Sequence, residues 1–151
     1  GRPGRSAGLM SGRRLILDQH LRVISWVAPR IGHSVEALVP GIGIGLEKNG
    51  ELIAGVVYHR ITSTNADMHV ASVGGSNWAN KDFLLAAFAY PFKQLGVRRV
   101  TGFVRADNHD AQRLDEHLGF VKEGVMREAG NDGGNVIVYG MLKEECRWIK
   151  P

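Results

Sequence analysis

Apolar residues recur with two periods along this chain, and the change between them marks out its elements. Leu15-Ile16-Leu17 is a short apolar run, and Asp18 after it is an expected helix cap. From His20 to Ile31, Leu21, Ile24, Val27 and Ile31 recur at helical spacing, with Pro29 expected to disturb the last turn. His33 to Gly41 reads as a loop. Ile42 to Glu47 and Glu51 to Ile61 are rich in β-branched residues, and Lys48-Asn49-Gly50 between them is a hairpin signal. Asp67 to Val73 alternates and follows the polar turn Thr62-Ser63-Thr64-Asn65, which completes an antiparallel meander.

After Gly74-Gly75 the period lengthens. Asn80 is placed to cap a helix in which Phe83, Leu84, Ala87, Phe88 and Phe92 share a stripe. Pro91 is expected to bend that helix or end its regular ladder, and Gly96 to stop it. Val97 to Val104 reads as a buried strand. Asn108 starts a short helix carrying Ala111, Leu114 and Leu118, stopped by Gly119. Val121 to Arg127 and Val136 to Leu142 read as strands around the turn-rich Gly130-Asn131-Asp132-Gly133-Gly134. The order is strand, helix, three strands, helix, strand, helix, two strands. A strand–helix–strand crossover in the second half requires a locally parallel pair inside a mixed sheet.

Composition narrows the functions this order can serve. The 151 residues suit one domain, and a lone cysteine, Cys146, excludes an intramolecular disulfide framework. That suits a reducing, cytoplasmic setting. No apolar run reaches membrane-spanning length. Gly1 to Leu9 reads as an expression leader supplying Arg2 and Arg5, with residues 10–151 as the single domain. The other basic residues are scattered without interleaved aromatics, which argues against nucleic acid as a partner. Gly41-Ile42-Gly43-Ile44-Gly45 lacks the preceding strand and following helix of a dinucleotide site, and the histidine spacing gives no metal site.

Phe92 to Val100, Asn108, Leu118-Gly119-Phe120, Glu123 to Glu128 and Val138 to Leu142 together resemble the Gcn5-related N-acetyltransferase (GNAT) superfamily. The run is similar to the ribosomal-protein N-acetyltransferase branch and to small phage and prophage GNAT-like proteins, which share the ending Glu144 to Trp148. The resemblance implies an α/β (α+β) fold: a mixed, mostly antiparallel sheet of six to seven strands, helices on both faces, and a splayed central strand pair. Those two strands are Asp67 to Val73 and Val97 to Val104, with the pantetheine arm of acetyl-CoA between them. It further implies that the pyrophosphate rests on backbone N–H groups from Val73 through Gly74, Gly75, Ser76, Asn77, Trp78 and Ala79 to the next helix, where orphan amides favour an anion. Lys81 adds a charge there, and Asn108 bonds the pantetheine arm as well as capping its helix.

Two positions depart from the family. Ser76 and Trp78 fall where the phosphate loop has small residues, and Asp115 stands where many members carry a tyrosine that protonates the departing thiolate. Asp115 and His117 read as solvated helix residues, with a catalytic Asp115 as the minority alternative. Glu123 reads either as a strand-edge residue or as one reaching the acceptor. Asp67 and His69, two apart on one strand and so on one face, are the base candidates for taking a proton from an attacking amine. The N–H groups of Val70 and Ala71 are the oxyanion donors. Two functions fit: acetyl transfer from acetyl-CoA to an amine acceptor by direct attack, with no metal, or a non-catalytic GNAT-like accessory protein with a degenerate CoA site. A homodimer through Trp148 and the last strand is a further expectation.

Overall fold

The computed structural model describes residues 12–74 and 80–150. The expected leader and the loop residues Gly75, Ser76, Asn77, Trp78 and Ala79 lie outside them. The elements are β1 (Arg13–Ile16), α1 (His20–Arg30), β2 (Ile42–Lys48), β3 (Glu51–His59), β4 (Asn65–Ser72), α2 (Lys81–Ala89), β5 (Arg99–Arg105), α3 (His109–Leu118), β6 (Val121–Met126) and β7 (Val136–Leu142). The seven strands are ordered β1-β2-β3-β4-β5-β7-β6. The β4–β5 pair is parallel, whereas β1–β2, β2–β3, β5–β7 and β6–β7 are antiparallel. The chain groups into two compact units, one running to His59 and including His69–Ala87, the other comprising Arg60–Met68 and everything from Phe88.

In the first unit α1 packs on the hairpin β2–β3. Val23, Ile24, Val27 and Ala28 on one helix face join Ile16, Leu38, Leu52, Val57 and Ala71 in a buried core. Glycines make the approach close. A Cβ on Gly43 would lie 2.7 Å from Cβ of Val23, and one on Gly55 would lie 2.7 Å from Cγ2 of Val27. Gly43, Gly45 and Gly55 are therefore a bed for a helix. The hairpin turn has the conformation its residues demand, with φ of 52° at Asn49 and 86° at Gly50.

In the second unit Phe88, Phe92 and Phe120 form an aromatic cluster. Trp148 donates from Nε1 to the carbonyl of Leu118 at 2.8 Å, and Cys146 is fully buried, with burial pushing its thiol pKa up. The helix around Pro91 widens into a π turn, Tyr90–Leu95, and Gly96 ends it in the left-handed region at φ 76°.

Several boundaries differ from the sequence expectation, among them β3, which ends at His59 and not Ile61, and β4, which runs from Asn65 to Ser72 and not from Asp67 to Val73. Asp18 does not cap α1; Gln19 holds the cap position, without a side-chain bond. Pro29 leaves the helix intact to Arg30, and Ile31 N–H closes on Val27 and Ala28. The strand expected from Val97 starts at Arg99, because Val97 N–H bonds the π turn at Pro91 while Arg98 and Arg99 N–H both bond Thr64.

The helix bed gives a direct test by urea unfolding. Gly43→Ala or Gly55→Ala should lose roughly 1–3 kcal/mol through overpacking. Gly124→Ala, whose Cβ meets nothing within 4 Å, should stay within about 0.5 kcal/mol of the parent.

Candidate active site

The parallel ladder between β4 and β5 is short. It pairs Asn65 with Arg99, Ala66 with Val100 and Asp67 with Thr101, and stops there. A chain of polar side chains pins this closed end. Arg60 Nε donates to Asp67 Oδ2 at 2.8 Å, Asn65 Nδ2 donates to Asp67 Oδ1 at 3.1 Å, and Thr101 Oγ1 donates to Asn65 Oδ1 at 2.6 Å. Arg99 Nε donates to Thr101 Oγ1 at 3.0 Å and its Nη2 meets Glu123 Oε1 at 2.9 Å. Any side chain on Gly140 would collide with that last pair. Asp67 is 4% exposed and both of its oxygens are engaged, a geometry that stabilises the seam.

One residue past the ladder, a carboxyl waits. A Cβ on Gly102 would lie 3.3 Å from Oδ2 of Asp115 and 3.8 Å from the Met68 carbonyl. Asp115 is only 8% exposed, and its side chain makes no hydrogen bond among the described residues. Burial, with a smaller push from the charge of Glu116, raises its pKa to about 7. It therefore exists as a mixture of acid and carboxylate near neutral pH. Glu116 accepts a 2.7 Å bond from the hydroxyl of Tyr139, whose own pKa rises through burial and that contact. Asn108 opens α3, its Oδ1 accepting from Ala111 N–H at 3.1 Å.

In the first unit three histidines gather. His69 Nε2 lies 3.2 Å from His59 Nδ1, with ring centroids 5.0 Å apart. His33, from the loop after α1, meets His69 edge to face at 5.7 Å, and burial lowers its pKa. Among the described residues no group of three or more His, Cys, Asp or Glu side chains is arranged to hold a metal ion, and no helix is long and apolar enough to cross a membrane.

No family model matches the chain. The N-acetyltransferase YoaA of Bacillus subtilis (strain 168), itself described as uncharacterized, is 28% identical over 112 residues. That match covers 68% of this chain and 63% of YoaA. The ribosomal-protein-S5-alanine acetyltransferase of Vibrio fischeri superposes with a TM-score of 0.68 at 16% identity, covering 94% of this chain and 97% of its own. A mutant form of spermidine N-acetyltransferase SpeG from Vibrio cholerae gives 0.66 at 18% identity, covering 89% and 96%. The fold is that of the GNAT acetyltransferases.

In this GNAT fold the residues expected from the sequence separate into two sets. His69, Val70 and Ala71 lie on β4 beyond the end of the ladder, and Asn108 caps α3 as expected. Val73 and Gly74 are exposed after β4, and Lys81 is exposed at the start of α2, which Asn80 caps by accepting from Phe83 N–H at 2.7 Å. Asp67, expected at a solvated strand end or as a base, is buried in the seam. Asp115, expected to be solvated, is buried because it shares a helix face with Ala111 four residues before and Leu118 three residues after. That spacing was the available signal. Glu123 is committed to Arg99, and His117 is exposed as expected.

Two measurements check these assignments. Asp67→Ala leaves Arg60 and Asn65 facing an unfilled site, and should cost roughly 1–3 kcal/mol in chemical denaturation. Asp115 has a folded pKa raised above its unfolded value of 3.8, so between about pH 4 and 7 the folded chain holds a proton that the unfolded chain has lost. Its contribution is fully present below that window and disappears as pH rises through about 7. Asp115→Asn should flatten that fall in a series of unfolding curves across pH.

Proposed function

We propose that this protein transfers an acetyl group from acetyl-CoA to an amine by direct attack on the thioester. The short β4–β5 ladder carries the reading, in a fold shared with a ribosomal-protein-S5-alanine acetyltransferase and a spermidine N-acetyltransferase. Strand backbone released from pairing is polar and must find partners. The amide-rich pantetheine arm is such a partner, with the thioester carbonyl received by the one N–H of the Val70–Ala71 segment that is directed away from β3. The segment from Val73 to Lys81 holds the pyrophosphate in this reading, with Lys81 and the capped start of α2 favouring negative charge. The chain spans 63% of YoaA's length, so the acceptor is assigned only as an amine.

The amine nitrogen attacks the thioester carbon, the C–N bond forms, and the C–S electron pair leaves on sulfur. His69 takes the proton lost by the amine, and the thiolate takes a proton from solvent. A thiol of pKa about 8.5 is a tolerable leaving group, so a strong acid is not required.

Calorimetric titration with acetyl-CoA should give a dissociation constant on the order of 1–100 µM. Thiol release should then follow addition of spermidine or a peptide with an N-terminal alanine. Absence of heat at millimolar acetyl-CoA, in folded protein, overturns the reading and leaves a non-catalytic GNAT-like protein. His69→Ala should lower kcat by roughly 100-fold with KM unchanged.

A further inference from the structure

The histidine cluster holds more chemistry than a single base. An N···N contact of 3.2 Å between His69 Nε2 and His59 Nδ1 has room for one proton, since two N–H groups cannot point at each other. The pair therefore carries at most one positive charge, and one ring stays neutral at a pH where two separate imidazoles would both be charged. The two rings come from different strands, His59 ending β3 and His69 within β4, so the contact is fixed by the sheet. His59 is half-buried and His69 is 7% exposed, so the outer ring meets solvent and the inner one is shielded.

We propose that His59 is a positioning residue for the transfer reaction, its Nδ1 accepting from His69 Nε2 and so fixing the tautomer in which His69 Nδ1 takes the proton of the attacking amine. The inference rests on the acetyl-transfer reading for its role and on the ring contact for its existence. When the amine gives up its proton, His69 becomes an imidazolium whose Nε2 proton is shared with His59. The positive charge is spread over two rings and toward solvent. The C–N and C–S bond changes are those already described, and no other reactant enters. His33 packs edge-on against His69, and burial favours its neutral form, so it adds bulk to the cluster without a competing charge. Arg60 and Asp67, the charged residues flanking the pair along the chain, are ion-paired with each other.

Long-range 15N–1H NMR of the histidine rings, followed through pH, tests the pair without any acceptor or cofactor. The expected result is a protonated Nε2 on His69, an unprotonated Nδ1 on His59, and two coupled titration steps, the lower at least about one pH unit below the ordinary value near 6.5. His59→Leu should collapse this to one step for His69. It should lower the acid limb of kcat/KM by about one pH unit, because protonated His69 loses the ring that shares its charge, and lower kcat roughly tenfold on the pH plateau, with KM held. His59→Gln, which keeps an acceptor, should recover most of the loss. Independent titrations near the ordinary value, or a His69 titration unchanged in His59→Leu, overturn the proposal. Coupled titration in a protein that does not transfer acetyl groups would instead overturn the functional reading while leaving the pair intact, and unaltered kinetics in His59→Leu would remove His59 from the reaction.

Discussion

The chemistry proposed for this chain depends on where one ladder stops. β4 and β5 are held together by three residue pairs and then lose their register, and the residues at the stopping point are tied by side chains as well as by backbone. The chain from Arg60 through Asp67, Asn65, Thr101 and Arg99 to Glu123 links β4, β5 and β6 by consecutive bonds. Such a network rigidifies because each member satisfies the next, and a buried carboxylate is tolerated only with partners of this kind. A parallel pair that is firm at one end and unpaired at the other presents backbone donors and acceptors at a fixed position. That is the condition for aligning an amide-bearing cofactor arm and its thioester against an amine.

Asp115, one residue past that ladder's end, is tuned by burial more than by charge. Asp115 gains its high pKa chiefly from desolvation against Gly102, with Glu116 adding to it, while the Tyr139 hydroxyl holds Glu116 in place. A glycine on β5 leaves room for it, because a Cβ there would press on Oδ2 at 3.3 Å. His69 is held by contacts with His59 and His33. The proton affinity of Asp115 thus rests on its environment, since an aspartate is not unusual in itself.

Most of the fold was legible because local signals agreed with tertiary ones. Asn49-Gly50 gave the hairpin, Asn80 and Asn108 gave the helix starts, and Gly96 and Gly119 ended their helices in the left-handed region. The site was less legible, for a physical reason. Strand alternation placed Asp67 and His69 on one face but could not show that Arg60, seven residues earlier, would return to neutralise Asp67. Asp115 looked solvated because α3 is polar overall, although its spacing from Ala111 and Leu118 already put it on the inward face. The pairing of His59 with His69 required the neighbouring placement of β3 and β4, which a linear reading leaves implicit.

The central claim is that the backbone beyond Asp67 on β4 is the part that receives acetyl-CoA. Amide hydrogen exchange with and without CoA measures this residue by residue. The account predicts new protection from His69 to Ser72, with Asn65 to Asp67, already laddered and pinned, unchanged. Protection confined to other parts of the chain, or uniform along β4, would contradict it.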